Sequence, residues 1–291
     1  MKKGILILFI SCCLLLGCKT VKLDYTPYYT AVYKADSLMT TSNFKKSYGI
    51  LDSIFNLYKP LNSSYQEYFT FTKLSYLLKL KYKNKLINSI TDYGLDKDYF
   101  KYDSILNKAF NEIKISDKEY QKYRAKYINS IDLNLRKEIK EMVFLDQKYR
   151  KENIDSESAN KIILQDLENQ NLLKVLFNKN IYPNERVIGN YSIDKKSINI
   201  VAVLLHTNDS IRINYFLPKI KEFVIAGKCS PVIYGAMVDQ YHLYNDENQF
   251  YGTYNINRIP IKHYFKYNSR RKTIGLPTIE FDLYKIKQFK P

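Results

Sequence analysis

The chain has 291 residues, with 46 Lys and Arg against 29 Asp and Glu and a formal charge of +17 at pH 7. The excess is scattered and rests on 38 Lys and 8 Arg, with no dense basic helix and no basic–aromatic motif. That distribution argues against nucleic acid as a partner and suits an acidic lipid or polysaccharide neighbour.

The first element is a leader. Lys2 and Lys3 precede an apolar run from Ile5 to Leu16 broken only by Ser11, too short for a comfortable membrane span. It ends in Leu15-Leu16-Gly17-Cys18, which resembles the lipobox of bacterial lipoproteins. The resemblance implies cleavage before Cys18 and lipid on its sulfur, so residues 1–17 are expected to be a signal peptide and Cys18 the membrane anchor, held by several acyl chains. Lys19-Thr20-Val21-Lys22 is basic, where surface-exported lipoproteins of some bacterial groups carry acidic residues. The expected location is therefore the outer membrane, facing the periplasm. Cys12 and Cys13 leave with the leader, so Cys229 has no partner for an internal disulfide. Only Lys228 supplies a nearby charge, and Cys229 reads as a small packed residue rather than a nucleophile.

The spacing predicts a mainly α fold in two domains, 18–133 and 134–291. Tyr28, Val32, Ala35 and Leu38 form one helical stripe. Phe44, Tyr48, Leu51, Ile54 and Phe55 form a second, with Asn43 placed to cap it. Pro60 closes this hairpin, and a second pair follows over 64–80 and 83–93, ending at Gly94. The two hairpins weakly resemble tetratricopeptide-type repeats. The pattern itself supports a solenoid or an irregular bundle, and either a binding groove or a spacer between membrane and second domain.

Residues 118–151 read as one long helical region with a break or bend near Ser130-Ile131-Asp132. Leu135, Ile139, Met142 and Tyr149 lie on one side of it and open the second domain. Further helices are expected over 160–177, over the apolar run "SINIVAVLL" at 197–205, over 211–226 with Pro218 kinking it or starting part of it, over 231–244 behind Pro231, and over 281–289. Residues 249–261, with Gly252 and Pro260, are expected to form a loop or a short β-hairpin.

From about residue 139 to 288 the chain resembles an uncharacterised bacterial family, domain-of-unknown-function family 6624. The residues that carry the resemblance are Asp146, Gln147 and Arg150; Tyr182-Pro183 ahead of Gly189; an apolar stretch ending at His206; Leu217-Pro218; Gln249 to Thr253; and "RRKTIGLP" from Arg270. The chain departs from the family at Tyr254, where Gln is usual, and at Asp239-Gln240, where Asp-Arg is usual. The family has no assigned reaction, so the resemblance implies architecture and no chemistry.

The candidate site rests on residue types. His206, Asp209 and Tyr251 are the candidate catalytic groups, and Asp146, Arg150, Arg270 and Arg271 the candidate ligand-binding groups. Together they would line a cleft for a small anionic or carbonyl-bearing ligand, with Arg as a forked anion binder and His as acid or base. Each also has a plain role. Asp146 and Arg150 would make a surface ion pair worth ~0.3–0.5 kcal/mol, His206 would sit on a helix C-terminal dipole, and Asp209 would cap a helix. No His-Glu-x-x-His, Cys-x-x-Cys, Gly-x-Ser-x-Gly or phosphate loop occurs, so neither a metal nor a cofactor is expected. Two functions stand: a lipid-anchored binding or scaffolding protein of the envelope, with an envelope protein or a small anionic ligand as partner, and a periplasmic enzyme, a hydrolase, working from His206, Tyr251 and Arg271.

Overall fold

The computed structural model describes residues 23–63, 65–151, 156–254 and 256–288. The lipobox and Cys18 lie outside them. The described residues are mainly helical and contain no strand. None of their helices is long and apolar enough to cross a membrane.

The two N-terminal hairpins form as Thr26–Thr40 with Phe44–Leu57 and Glu67–Leu77 with Tyr82–Tyr93. Asn43 takes the cap position of the second helix without a side-chain cap bond. Gly94 ends the fourth helix at φ +69°, and a Cβ there would lie 2.4 Å from the Tyr127 ring, so the sharp exit needs glycine for backbone and for space. Two short helices then follow, Lys97–Tyr102 and Ser104–Ile113, each capped by an aspartate, Asp96 and Asp103.

The long helical region is broken at 130–132 into two helices. Asp117–Asn129 starts on a capping box of Ser116 and Glu119. Leu133–Lys151 starts where the Asp132 carboxylate accepts the Leu135 amide at 2.9 Å, while the Asp132 amide bonds the Val187 carbonyl. Ser156–Asn178 packs back along it.

One expectation needs correction beyond this point, and two open alternatives are resolved. The run at 197–205 is helical only over Val201–Leu205, because the Asn199 side chain caps the Val201 amide and leaves 197–200 outside. Its expected all-round burial is confined to Ile200, Val203 and Leu204. The helix around Pro218 contains a wide π turn over Arg212–Phe216, closed by the Leu217 amide on the Arg212 carbonyl, ahead of the Leu217–Ile225 helix. Pro218 has no amide to give and sits in the first turn of that second helix, so it starts part of the region, one of the two roles expected of it. Residues 249–261 take the loop alternative, with 3-10 turns at Ile256–Arg258 and Ile261–His263. The helices Pro231–Tyr244, Tyr264–Lys272 and Ile279–Gln288 complete the chain.

The core does not divide at 133/134. One apolar cluster joins Tyr28, Val32, Leu51 and Leu74 to Ile139, Leu173, Leu204, Phe216, Phe223 and Met237. The Tyr29 hydroxyl donates across it to the carbonyls of Val224 and Cys229, at 2.8 and 2.9 Å. A separate cluster of Phe69, Leu86, Ile90, Phe100, Leu106 and Tyr120 fills the bundle over 67–129. The first hairpin thus packs with the C-terminal half, and the helices between them carry their own core.

Candidate functional site

Three helices meet at Asp146. It sits on the Leu133–Lys151 helix with Arg150 one turn on; the facing Ser156–Asn178 helix brings Asp166 and Asn169; Val201–Leu205 ends at His206. The Asp146 side chain is fully buried. Its carboxylate accepts Gln147 Nε2 at 2.7 Å and Asn169 Nδ2 at 3.3 Å, and both oxygens contact His206 Nδ1, at 3.0 and 3.1 Å. Burial acts to raise its pKa, but the His206 and Gln147 hydrogen bonds and the charges of His206 and Arg150 outweigh it and hold the carboxyl below its ordinary value. An ionised carboxylate on Nδ1 assigns the ring proton to Nδ1 and turns Nε2 away from Asp146. The imidazole is half-buried, so Nε2 is left able to accept a proton from something outside.

Arg212, which the sequence reading passed over, braces this turn. Its guanidinium is buried and donates to the carbonyls of Leu205 and Thr207, at 2.6 and 2.8 Å, on either side of His206. Asp209 contributes only by pairing with Arg212 at 3.3 Å from an exposed position; the cap of that helix is Asn208. Asp146, Asp166 and His206 offer donor atoms within 4.8 Å of one another, a grouping hidden from sequence because it spans three elements. Arg150 already bonds Asp166 and lies 3.9 Å from Asp146, so a cation would have to displace a guanidinium that balances both carboxylates. The donor set therefore fits an Arg-bridged acid pair better than a metal.

Tyr251 and Arg271 belong elsewhere. Arg271 is fully buried: Nε donates to the Pro277 carbonyl at 2.5 Å, Nη1 to the Tyr251 carbonyl at 3.1 Å, and Nη2 pairs with Asp282. This corrects its expected place on an open concave surface, because its fork is consumed by backbone and Asp282. The Tyr251 ring packs with Tyr234, Ile274 and Leu276. Burial, then the charges of neighbours, pushes its hydroxyl up to about 12, so it is a packed phenol and a poor base. Among the described residues no hydrogen bond or ion pair joins His206 to Tyr251 or Arg271. Arg270 does face a cleft, of about 500 Å³, with Arg258, His263 and Lys266, and stacks 4.2 Å from the Phe250 ring.

A second cavity, of about 360 Å³, was not foreseen. It lies between residues 182–200 and the turn at 227–230, with Leu61 and Ser63 on one wall. Among the described residues its only acidic lining residue is Glu185, at the start of the short Glu185–Ile188 helix capped by Asn184. Glu185 is open to solvent through the cavity, yet protein crowds the carboxyl. Desolvation, with the charge of Glu67 and against that of Arg136, pushes it up to about 7. Among the described residues no hydrogen bond or ion pair reaches that carboxyl. Nothing in the sequence around Glu185 marks it, since its environment comes from Leu61, Lys228 and Glu67, all distant in the chain.

Comparison with protein-family models, with curated proteins and with solved structures finds no match to this chain.

Proposed function

We propose that the chain is a lipid-anchored protein of the bacterial envelope, on the periplasmic side of the outer membrane, that binds a small polar ligand in the Glu185 cavity. Leu15 to Cys18 support the anchor, as a short apolar run ending at a small residue and a cysteine. The observation that carries the binding role is a cavity of about 360 Å³ lined by one carboxyl, Glu185, that no hydrogen bond or ion pair reaches among the described residues. Its volume is within the range of small-molecule sites, and unpartnered charge in a crowded site is costly unless a ligand satisfies it. Ser197 lines the cavity from an exposed position, so Ser197→Trp fills it while leaving the core intact. A thermal-shift screen of small polar molecules should give hits on the wild type that vanish in Ser197→Trp. Hits that persist in that variant would refute the cavity as the binding site.

The Asp146–His206 pair favours a second reading, a hydrolase using His206 Nε2 as base. A carboxylate-oriented imidazole is what general-base catalysis on water requires. Hydrolysis of ester or phosphoester substrates that is unchanged in His206→Gln would remove this reading.

A further inference from the structure

Resting on the cavity as the ligand site, we propose that its ligand is a small hydroxylated amine whose ammonium group pairs with Glu185. The argument is one of charge placement. Two basic residues line the cavity, but each is drawn to backbone at its edge. Arg186 Nη2 donates to the Pro60 carbonyl at 2.6 Å and Lys228 Nζ to the Asn180 carbonyl at 2.7 Å. Glu185 alone keeps its charge uncommitted. Behind it stands Glu67, fully buried, held by the Tyr28 hydroxyl at 3.1 Å and the Tyr65 amide at 3.3 Å. Burial raises the Glu67 carboxyl itself; when ionised, it acts on Glu185 and adds to the attraction for a cation and the repulsion of an anion. In a chain of net charge +17, Glu185 is the uncommitted carboxyl of a lining whose two cations are engaged by backbone.

The rest of the lining selects hydroxyls. Asn184 and Asn190 are committed to the protein: Asn184 caps Arg186 and Val187 and donates to the Lys228 carbonyl, and Asn190 holds Ser192 and the Tyr93 carbonyl. The Asn199 Oδ1 accepts the Val201 amide at 2.9 Å, leaving its Nδ2 as a donor, and the Ser197 hydroxyl offers a donor and an acceptor. Ile188, Ile198 and Ile233 supply apolar wall between these groups. Few polar contacts on an apolar wall around one carboxylate suit a compact molecule with a cationic end and hydroxyls along its body. An ammonium beside Glu185 also relieves its carboxyl, so uptake at neutral pH releases protons.

The probes are glucosamine, glucose and glucuronate, which share a hydroxylated ring and differ in charge. Each is titrated by calorimetry against the full mature chain in detergent micelles, with Glu185→Gln and Ser197→Trp as variants and circular dichroism as the control for folding. Glucosamine should bind, glucose about tenfold or more weaker, and glucuronate not at all. Glu185→Gln should cost glucosamine about tenfold or more and leave glucose unchanged, and Ser197→Trp should abolish all binding. Glucosamine that binds no better than glucose, that is insensitive to Glu185→Gln, or that does not bind at all overturns the inference. If neutral or anionic molecules bind and are lost in Ser197→Trp, the amine inference fails while the cavity reading survives. If glucosamine is retained in Ser197→Trp, both fail.

Discussion

Asp239 and Arg271 hold the same loop by its opposite polarities. Asp239, fully buried, accepts the amides of Phe250, Tyr251 and Thr253 at 2.6, 2.6 and 2.5 Å and the Thr253 hydroxyl at 2.6 Å. Arg271 donates to the carbonyl of Tyr251. Gly252, at φ +70° with Ile259 against it, leaves no room for a Cβ between them: one would fall 2.2 Å from the Ile259 side chain.

Removing either grip should therefore unfold more than the loop. Asp239→Ala leaves three amides without an acceptor and should cost on the order of 3 kcal/mol or more. Arg271→Met, which strands Asp282 and two carbonyls, should cost about 3–5 kcal/mol. Because both act on one loop, the double variant should lose less than the sum, by about 0.5–3 kcal/mol. Urea titrations of the four proteins read this, and strict additivity would show that the two residues act independently.

Residues 134–291 expressed alone should aggregate or remain unfolded. The fragment lacks Tyr28, Tyr29, Val32 and Leu51, which belong to the same apolar cluster as Ile139, Phe216 and Phe223. It also leaves the carbonyls of Val224 and Cys229 without the Tyr29 hydroxyl. A cooperative thermal transition in the fragment would contradict this.

What the sequence disclosed follows from what is local. Helix hairpins are legible because their stripes repeat within a few residues, as Tyr28, Val32 and Ala35 do. Asp146 and His206 stood out as residues, but their contact joins positions 60 apart and no spacing announces it. Arg271 was misread for a physical reason. A guanidinium is ordinarily solvated, and what buries this one is a set of backbone carbonyls, which carry no residue-type signal. The run at 197–205 reads as one helix by hydropathy, yet one asparagine cap at Asn199 outweighs it. Glu185 left no trace, because an ordinary glutamate becomes unusual only through the walls around it.

Acid should weaken the fold partly through Asp146. Its folded pKa lies below its ordinary value, so the unfolded chain binds the proton more readily. The stability it contributes is complete above the unfolded pKa of ~4 and is lost as pH falls through the folded one. Asp146→Asn should lower stability at pH 7 and flatten the decline below about pH 4. A decline of equal steepness in the variant would assign the acid sensitivity to other groups.

Glu185 works in the opposite sense. Its folded pKa, at about 7, lies above the ordinary carboxylate value, so here the folded chain binds the proton more readily. Stability contributed by this group falls as pH rises from the carboxylate range to about 7. Glu185→Gln should remove that slope and melt higher than the wild type at pH 8 and level with it at pH 4.5. Parallel melting curves across that range would show that the group is solvated in the folded state.

Cys229 should resist thiol reagents in the native protein. It is buried, and desolvation pushes its thiol up to about 12, which leaves almost no thiolate at neutral pH. In protein expressed from residue 19 onward, where Cys229 is the only cysteine, iodoacetamide should modify it only in denaturant. Rapid labelling of the folded chain would show that the cavity it lines opens to the sulfur.

The Tyr29 hydroxyl spans 195 and 200 positions to reach its two carbonyls. Translation delivers a chain N-terminus first, so the first helix emerges with its partners still unmade. Loops of that length close slowly, and the apolar faces of Tyr28 and Val32 stay uncovered meanwhile. The bundle over 67–129, with its own core, is free to collapse early, and the first helix has to wait beside it. A holdase that shields the leading segment until residue 229 arrives would therefore raise the yield of folded protein far more than it changes the final stability.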